Sequence, residues 1–213
     1  MTRLTHPSAQ HTFNPVRIAM SEENLRVALV IGSTRATRFG PTIAKWFVEE
    51  AQQNDDIELD VVDLADYPLP VAVTDDPEPT DAATAAALSS RLEAAEAFVV
   101  LTPEYNHSFP APLKVAIDWN YTQWQAKPIG FVSYGGLAGG LRAVEQLRQV
   151  YAEMHAVTLR DTVSFHGAAA TFDDDGNPKE PAGCSAATKT MLDQLVWWGT
   201  ALREARARRP YRA

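Results

Sequence analysis

Apolar runs alternate with amphipathic stretches five times along this chain. Val27-Ala-Leu-Val-Ile31 and Ala97-Phe-Val-Val-Leu101 are apolar throughout. Ile57-Glu-Leu-Asp-Val-Val-Asp63 alternates and then turns apolar, and Pro128-Ile-Gly-Phe-Val-Ser133 and Val157-Thr-Leu-Arg160, running on towards Phe165, complete the set. Short runs that are apolar at every position fit strands buried on both faces of a parallel sheet. The helical pattern fills the intervals. Pro41 opens a helix over 42–50, Thr80 or Asp81 caps an alanine-rich one over 82–94, and three more are expected over 111–119, 140–154 and 186–208. Alternation of this kind predicts a single α/β domain, a doubly wound five-stranded parallel sheet with helices on both faces, over residues 25–213.

Composition changes this picture little and narrows the function. With 213 residues, 46% hydrophobic and 22% charged, the chain has enough apolar material for a full core. A net charge of −8 argues against non-specific nucleic-acid binding. The arginines at 203, 206, 208, 209 and 212 are read as a solvated last helical turn, where positive charge suits the helix dipole. No apolar run approaches the ~20 residues of a membrane span, and residues 1–24 form a polar arm without the apolar segment of a secretory signal. One cysteine, Cys184, excludes an internal disulfide and fits a reducing, cytoplasmic setting. The arm is either a long start or a strap onto a neighbouring subunit. The acidic stretch Phe172-Asp-Asp-Asp-Gly-Asn-Pro178 lacks the spacing of a calcium loop and is read as a turn.

In a doubly wound sheet, ligands sit beyond the carboxyl ends of the strands at the switch in strand order. With the order 2-1-3-4-5, the loops after strands one, three and four converge there, and these are the chain's most unusual loops. Gly32-Ser-Thr-Arg35 through Gly40 offers hydroxyls, arginines Arg35 and Arg38 and a helix N-terminus, which suits a phosphate. It has neither the lysine ending of a nucleoside-triphosphate loop nor the glycine spacing of a dinucleotide fold, so a terminal monophosphate fits best. Pro103-Glu-Tyr-Asn-His-Ser108 offers amides, an aromatic ring and a side-chain amide to a flat heterocycle. Gly135 and Gly136, after Ser133 and Tyr134, let a ring approach the backbone.

These motifs, together with Pro112-Leu-Lys-Val-Ala-Ile-Asp-Trp119, resemble the NADPH-dependent FMN reductase family over residues 25–205. The resemblance implies a flavodoxin-like fold, bound FMN, and hydride transfer from NADPH or NADH to the flavin and then to a small-molecule acceptor: a quinone, an azo compound or free flavin. It implies that Ser33, Arg35 and the start of the first helix at Phe39 and Gly40 take the FMN phosphate, to which Arg38 is expected to add its own charge. Pro103, Glu104, Tyr105 and Asn106 would line the isoalloxazine, with Ser133, Tyr134, Gly135 and Gly136 closing the far side. Many members carry Ser and Asn where this chain has Arg38 and Gly40. No catalytic residue or metal is expected, because the flavin carries the chemistry; His107 is a weaker candidate acid, and Lys114, Asp118 and Trp119 are read as structural or at a subunit contact. A homodimer or homotetramer is expected, with apolar surface around Ile117, Trp119 and Trp124 against the partner, and no nucleic-acid or membrane partner. A non-catalytic electron carrier or an FMN-binding regulatory protein is the alternative.

Overall fold

The hydrophobic runs become the centre of a parallel sheet. The computed structural model describes residues 24–212. Strands β1 (Leu25–Ile31), β2 (Ile57–Asp63), β3 (Ala97–Pro103) and β4 (Pro128–Gly135) alternate with helices α1 (Gly40–Ala51), α2 (Pro79–Ala94) and α3 (Ala111–Asp118). After α4 (Leu141–Glu153) come the short strands β5 (Val157–Thr158) and β6 (Val163–His166), then α5 (Ala168–Thr171) and α6 (Pro181–Arg208). The strand order is β2-β1-β3-β4-β5, with β6 also on β4 and every pairing parallel. This is the doubly wound, flavodoxin-like arrangement.

Side chains alternate across each strand, so one strand serves two cores. Leu25, Val27, Leu29 and Ile31 of β1 pack with α1 and α6, while Ala28 and Val30 pack with α2, α3 and α4. Every residue of β3 is buried. Burying a Leu- or Phe-sized side chain stabilises by roughly 1.5–3 kcal/mol, which makes these central strands the strongest local source of stability.

Four expectations are revised. The fifth strand is two pieces: β5 pairs with Pro128 and Ile129, β6 with Val132 to Gly135, and residues 159–162 break the ladder between them. The last helix starts at Pro181, whose fixed φ suits a first helical position, rather than at residue 186. Ile117 and Trp124 are not surface for a partner: both are fully buried, and Trp124 lies 4.6 Å from the Phe98 ring centroid. The arginines of the last turns are not all solvated, since Arg203 pairs with Glu96 at 3.2 Å and Arg206 donates to the Ala126 carbonyl. Apart from Asn24, the N-terminal arm lies outside the described residues. Among the described residues no helix is long and apolar enough to cross a membrane.

Lys127, at the foot of β4, is buried and donates to the carbonyls of Leu92 and Glu93 at 3.1 Å each. Burial lowers its pKa to about 8. An unfolded lysine keeps its proton up to about pH 10.4. Between these values the unfolded chain binds more protons than the native one, so this group makes stability rise with pH across that window; below it the full burial penalty applies. The stability difference between Lys127→Met and the parent, by urea denaturation, is therefore predicted to shrink from about pH 8 to about pH 10. A difference that stays constant with pH would show that the lysine is not perturbed.

Candidate active site

The register of the sheet brings three loops to one level. Ile31 stands beside Leu101, Thr102 beside Ser133 and Pro103 beside Tyr134, so the chain leaves β1, β3 and β4 at the same edge. In the first loop Ser33 is fully buried and its Oγ lies 2.6 Å from the Tyr105 hydroxyl. Arg35 is exposed, its guanidinium 5.3 Å from the Tyr105 ring centroid, with no carboxylate partner among the described residues. Arg38 is differently placed. Its Nη2 donates to Asp63 Oδ2 at 2.6 Å and its Nη1 to the Ser33 carbonyl at 3.0 Å. Phe39 precedes α1, whose first turn holds Gly40 and Pro41 and has no side-chain cap. That end carries the partial positive charge of a helix N-terminus.

The second loop is a two-residue hairpin. Tyr105 and Ser108 exchange backbone hydrogen bonds at 2.8 and 3.0 Å, and Asn106 and His107 between them have φ of 50° and 73°. Two positive φ values in succession are the signature of a type I′ turn, which suits asparagine and strains histidine. Gln146 of α4 holds the turn by accepting from Ser108 Oγ at 2.6 Å and donating to the His107 carbonyl at 2.8 Å. The His107 side chain is left in solvent. Before the turn, the Glu104 amide donates to the Tyr134 carbonyl at 2.9 Å. The Glu104 carboxylate accepts from Arg142 N at 3.2 Å and Arg142 Nη1 at 3.1 Å, fastening the loop to the first turn of α4.

In the third loop the glycines have different physical reasons. Gly139 and Gly140 have φ of 60° and 88°, and a Cβ on Gly140 would lie 2.6 Å from Ser133 Cβ. Ser133 and Ser164 both donate to the Gly139 carbonyl at 2.9 Å, so the Ser133 side chain shapes the turn. Gly135 and Gly136 have no positive φ; a Cβ on Gly135 would lie 3.2 Å from Gly140 N, whereas one on Gly136 would meet nothing within 4 Å. Tyr134 turns its ring inward against Phe39, with centroids 6.4 Å apart. Its buried hydroxyl faces Ser33 and the start of α1, has no hydrogen-bond partner among the described residues, and burial drives its pKa upwards.

The residues singled out in the sequence thus gather at one edge of the sheet, but not all present side chains to it. Arg38, Glu104, Ser133 and Tyr134 are engaged with, or turned into, the protein. Asp63, Arg142, Gln146 and Ser164, which hold the loops, carried no sequence motif. Lys114 and Asp118 form a surface pair one helical turn apart at 2.7 Å, and Trp119 Nε1 donates to the Pro70 carbonyl at 3.0 Å.

The glycines yield a direct contrast. Gly140→Ala should destabilise the protein by about 1–2 kcal/mol or more, because a left-handed residue gains a Cβ against backbone. Gly136→Ala should leave the denaturation midpoint of the ligand-free protein unchanged. A loss of stability at Gly136 equal to that at Gly140 would show that both glycines serve the fold alone.

The residues fit FMN on two observations: an uncapped helix start near the exposed Arg35, which has no carboxylate partner among the described residues, and Gly136, whose missing Cβ would meet nothing within 4 Å. Residues 25–170 match the family described as NADPH-dependent FMN reductase. An NAD(P)H-dependent FMN reductase of Schizosaccharomyces pombe is 37% identical over 132 residues, which are 59% of this chain and 64% of that protein, less than two thirds of its length. A probable NADPH:quinone oxidoreductase of Oryza sativa is 32% identical over 172 residues, 76% of this chain and 82% of the relative. Among solved structures, the NAD(P)H:(acceptor) oxidoreductase FerB of Paracoccus denitrificans shares the fold with a TM-score of 0.66 at 23% identity, covering 82% of this chain and 97% of that one. The chain belongs to the NADPH-dependent FMN reductase family.

Proposed function

We propose that this protein is an FMN-dependent NAD(P)H oxidoreductase that passes electrons from NADPH or NADH to a quinone, an azo compound or free flavin. The observation that carries the reading is the meeting of an anion-seeking loop with Gly136, a glycine that no packing demand explains. Ser33, Arg35 and the start of α1 at Phe39 and Gly40 take the phosphate. The backbone from Pro103 to Asn106 and from Ser133 to Gly136 holds the ring. The bound flavin supplies hydride acceptance and release; the chain supplies position, hydrogen bonds and access.

Access separates an enzyme from an electron carrier, because a nicotinamide must reach a ring face. Gly136 leaves that approach clear, and Tyr134, the aromatic expected beside the ring, points into the core instead. Relatives named NADPH:quinone oxidoreductase and quinone reductase support the acceptor class. The single cysteine fits a reducing, cytoplasmic setting. A homodimer or homotetramer belongs to the same reading, with Leu137 (90% exposed) beside Gly136 offering an apolar contact; a one-subunit mass by light scattering at micromolar concentration would remove it.

Under anaerobic conditions NADH or NADPH should bleach the bound FMN in one two-electron phase, and a quinone should restore the colour. Failure of both nicotinamides to reduce bound FMN would favour the carrier. A chain that takes up no FMN would contradict the flavin reading outright.

A further inference from the structure

Arg38 lies in the loop that suits a phosphate, yet its guanidinium is already engaged. Its side chain and that of Asp63 are only 17% and 20% exposed, and the pair closes at 2.6 Å. Asp63 is itself fixed, because its Oδ1 accepts from the Ala65 amide at 3.0 Å where β2 ends. Residue 38 in turn gathers two carbonyls of the first loop. Its Nη1 donates to the Ser33 carbonyl at 3.0 Å and its backbone amide to the Arg35 carbonyl at 3.1 Å.

The planar trans peptide turns this into a statement about donors. The C=O and N–H of one peptide unit point in opposite directions. Pulling the Ser33 and Arg35 carbonyls towards Arg38 therefore turns the amides of Thr34 and Ala36 the other way, and both residues are exposed. Amides facing outwards are donors for an anion, here on the stretch that also carries the exposed guanidinium of Arg35.

We infer that Arg38, locked by Asp63, is a positioning residue that aims the Thr34 and Ala36 amides at the flavin phosphate and does not itself bind it. This rests on the proposed function and deepens it. The two roles differ in sign. If Arg38 were a phosphate ligand, or if charge alone mattered, removing the Asp63 carboxylate would free a cation, remove a negative charge and tighten FMN binding. If Arg38 positions the loop through Asp63, the same change loosens the loop and weakens binding.

The test is titration of the flavin-free full-length protein with FMN and with riboflavin, followed by flavin fluorescence, for the parent, Asp63→Asn, Arg38→Lys and the double variant. Asp63→Asn should weaken FMN about tenfold or more, the scale of a charge-assisted hydrogen bond, and leave riboflavin unchanged. Arg38→Lys keeps the charge but lacks the planar fork that reaches both Asp63 and the Ser33 carbonyl; it should show a similar loss, and the double variant should lose no more than either single one. Urea denaturation of the flavin-free variants checks that they fold; if Asp63→Asn does not, Arg38→Lys decides alone. FMN binding by the variants equal to or tighter than the parent's would overturn the inference while leaving the flavin reading intact. An equal loss for riboflavin would overturn it too. A parent that binds neither flavin would overturn both.

Discussion

Parallel pairing of β1, β3 and β4 at one height is the constraint on which the rest depends. In a parallel sheet the connecting helices return the chain to the far edge, so all strand ends of one kind gather together. Ile31 beside Leu101 and Pro103 beside Tyr134 mean that the three loops begin within a residue or two of the same level. The cores on both faces hold that register. A slip by one residue would exchange Leu25, Val27, Leu29 and Ile31 with Ala28 and Val30 between two cores of different shape.

Loops at such an edge need internal fastenings, because backbone taken out of a ladder must find other partners. Each loop here is held by polar side chains from a neighbouring element: the first by Arg38 and Asp63, the second by Gln146 and by Glu104 with Arg142, the third by Ser133 and Ser164. His107 at φ 73° is maintained in a conformation that costs a non-glycine residue roughly 1–2 kcal/mol. Gln146 on its carbonyl helps to offset that cost. Fastened in this way, the loops have their backbone held in place by the protein's own side chains. That suits a cofactor whose own ring does the chemistry and which needs placement from the protein.

The strands were legible because burial on both faces leaves an unbroken apolar run, as in Ala97 to Leu101. The three loops were legible because they interrupt such runs with residues that hydrophobic packing does not select. What stayed hidden depended on distance in the chain. Nothing near Arg38 announces Asp63, 25 positions on, so the pair that engages its guanidinium could not be read from the loop. Ile117 and Trp124 looked like interface anchors because their local sequence does not reveal Phe98 and α2 above them. Tyr134 lies on a strand, where alternation decides which way a side chain points, and its register with β3 turned it into the core.

The claim that these three loops form one flavin site is tested most directly by amide hydrogen exchange on the ligand-free protein with and without FMN. FMN should slow exchange together in residues 32–40, 103–108 and 133–140, and leave the opposite edge of the sheet around Lys127 and Val157 unchanged. Protection confined to one loop, or centred on the opposite edge, would contradict it.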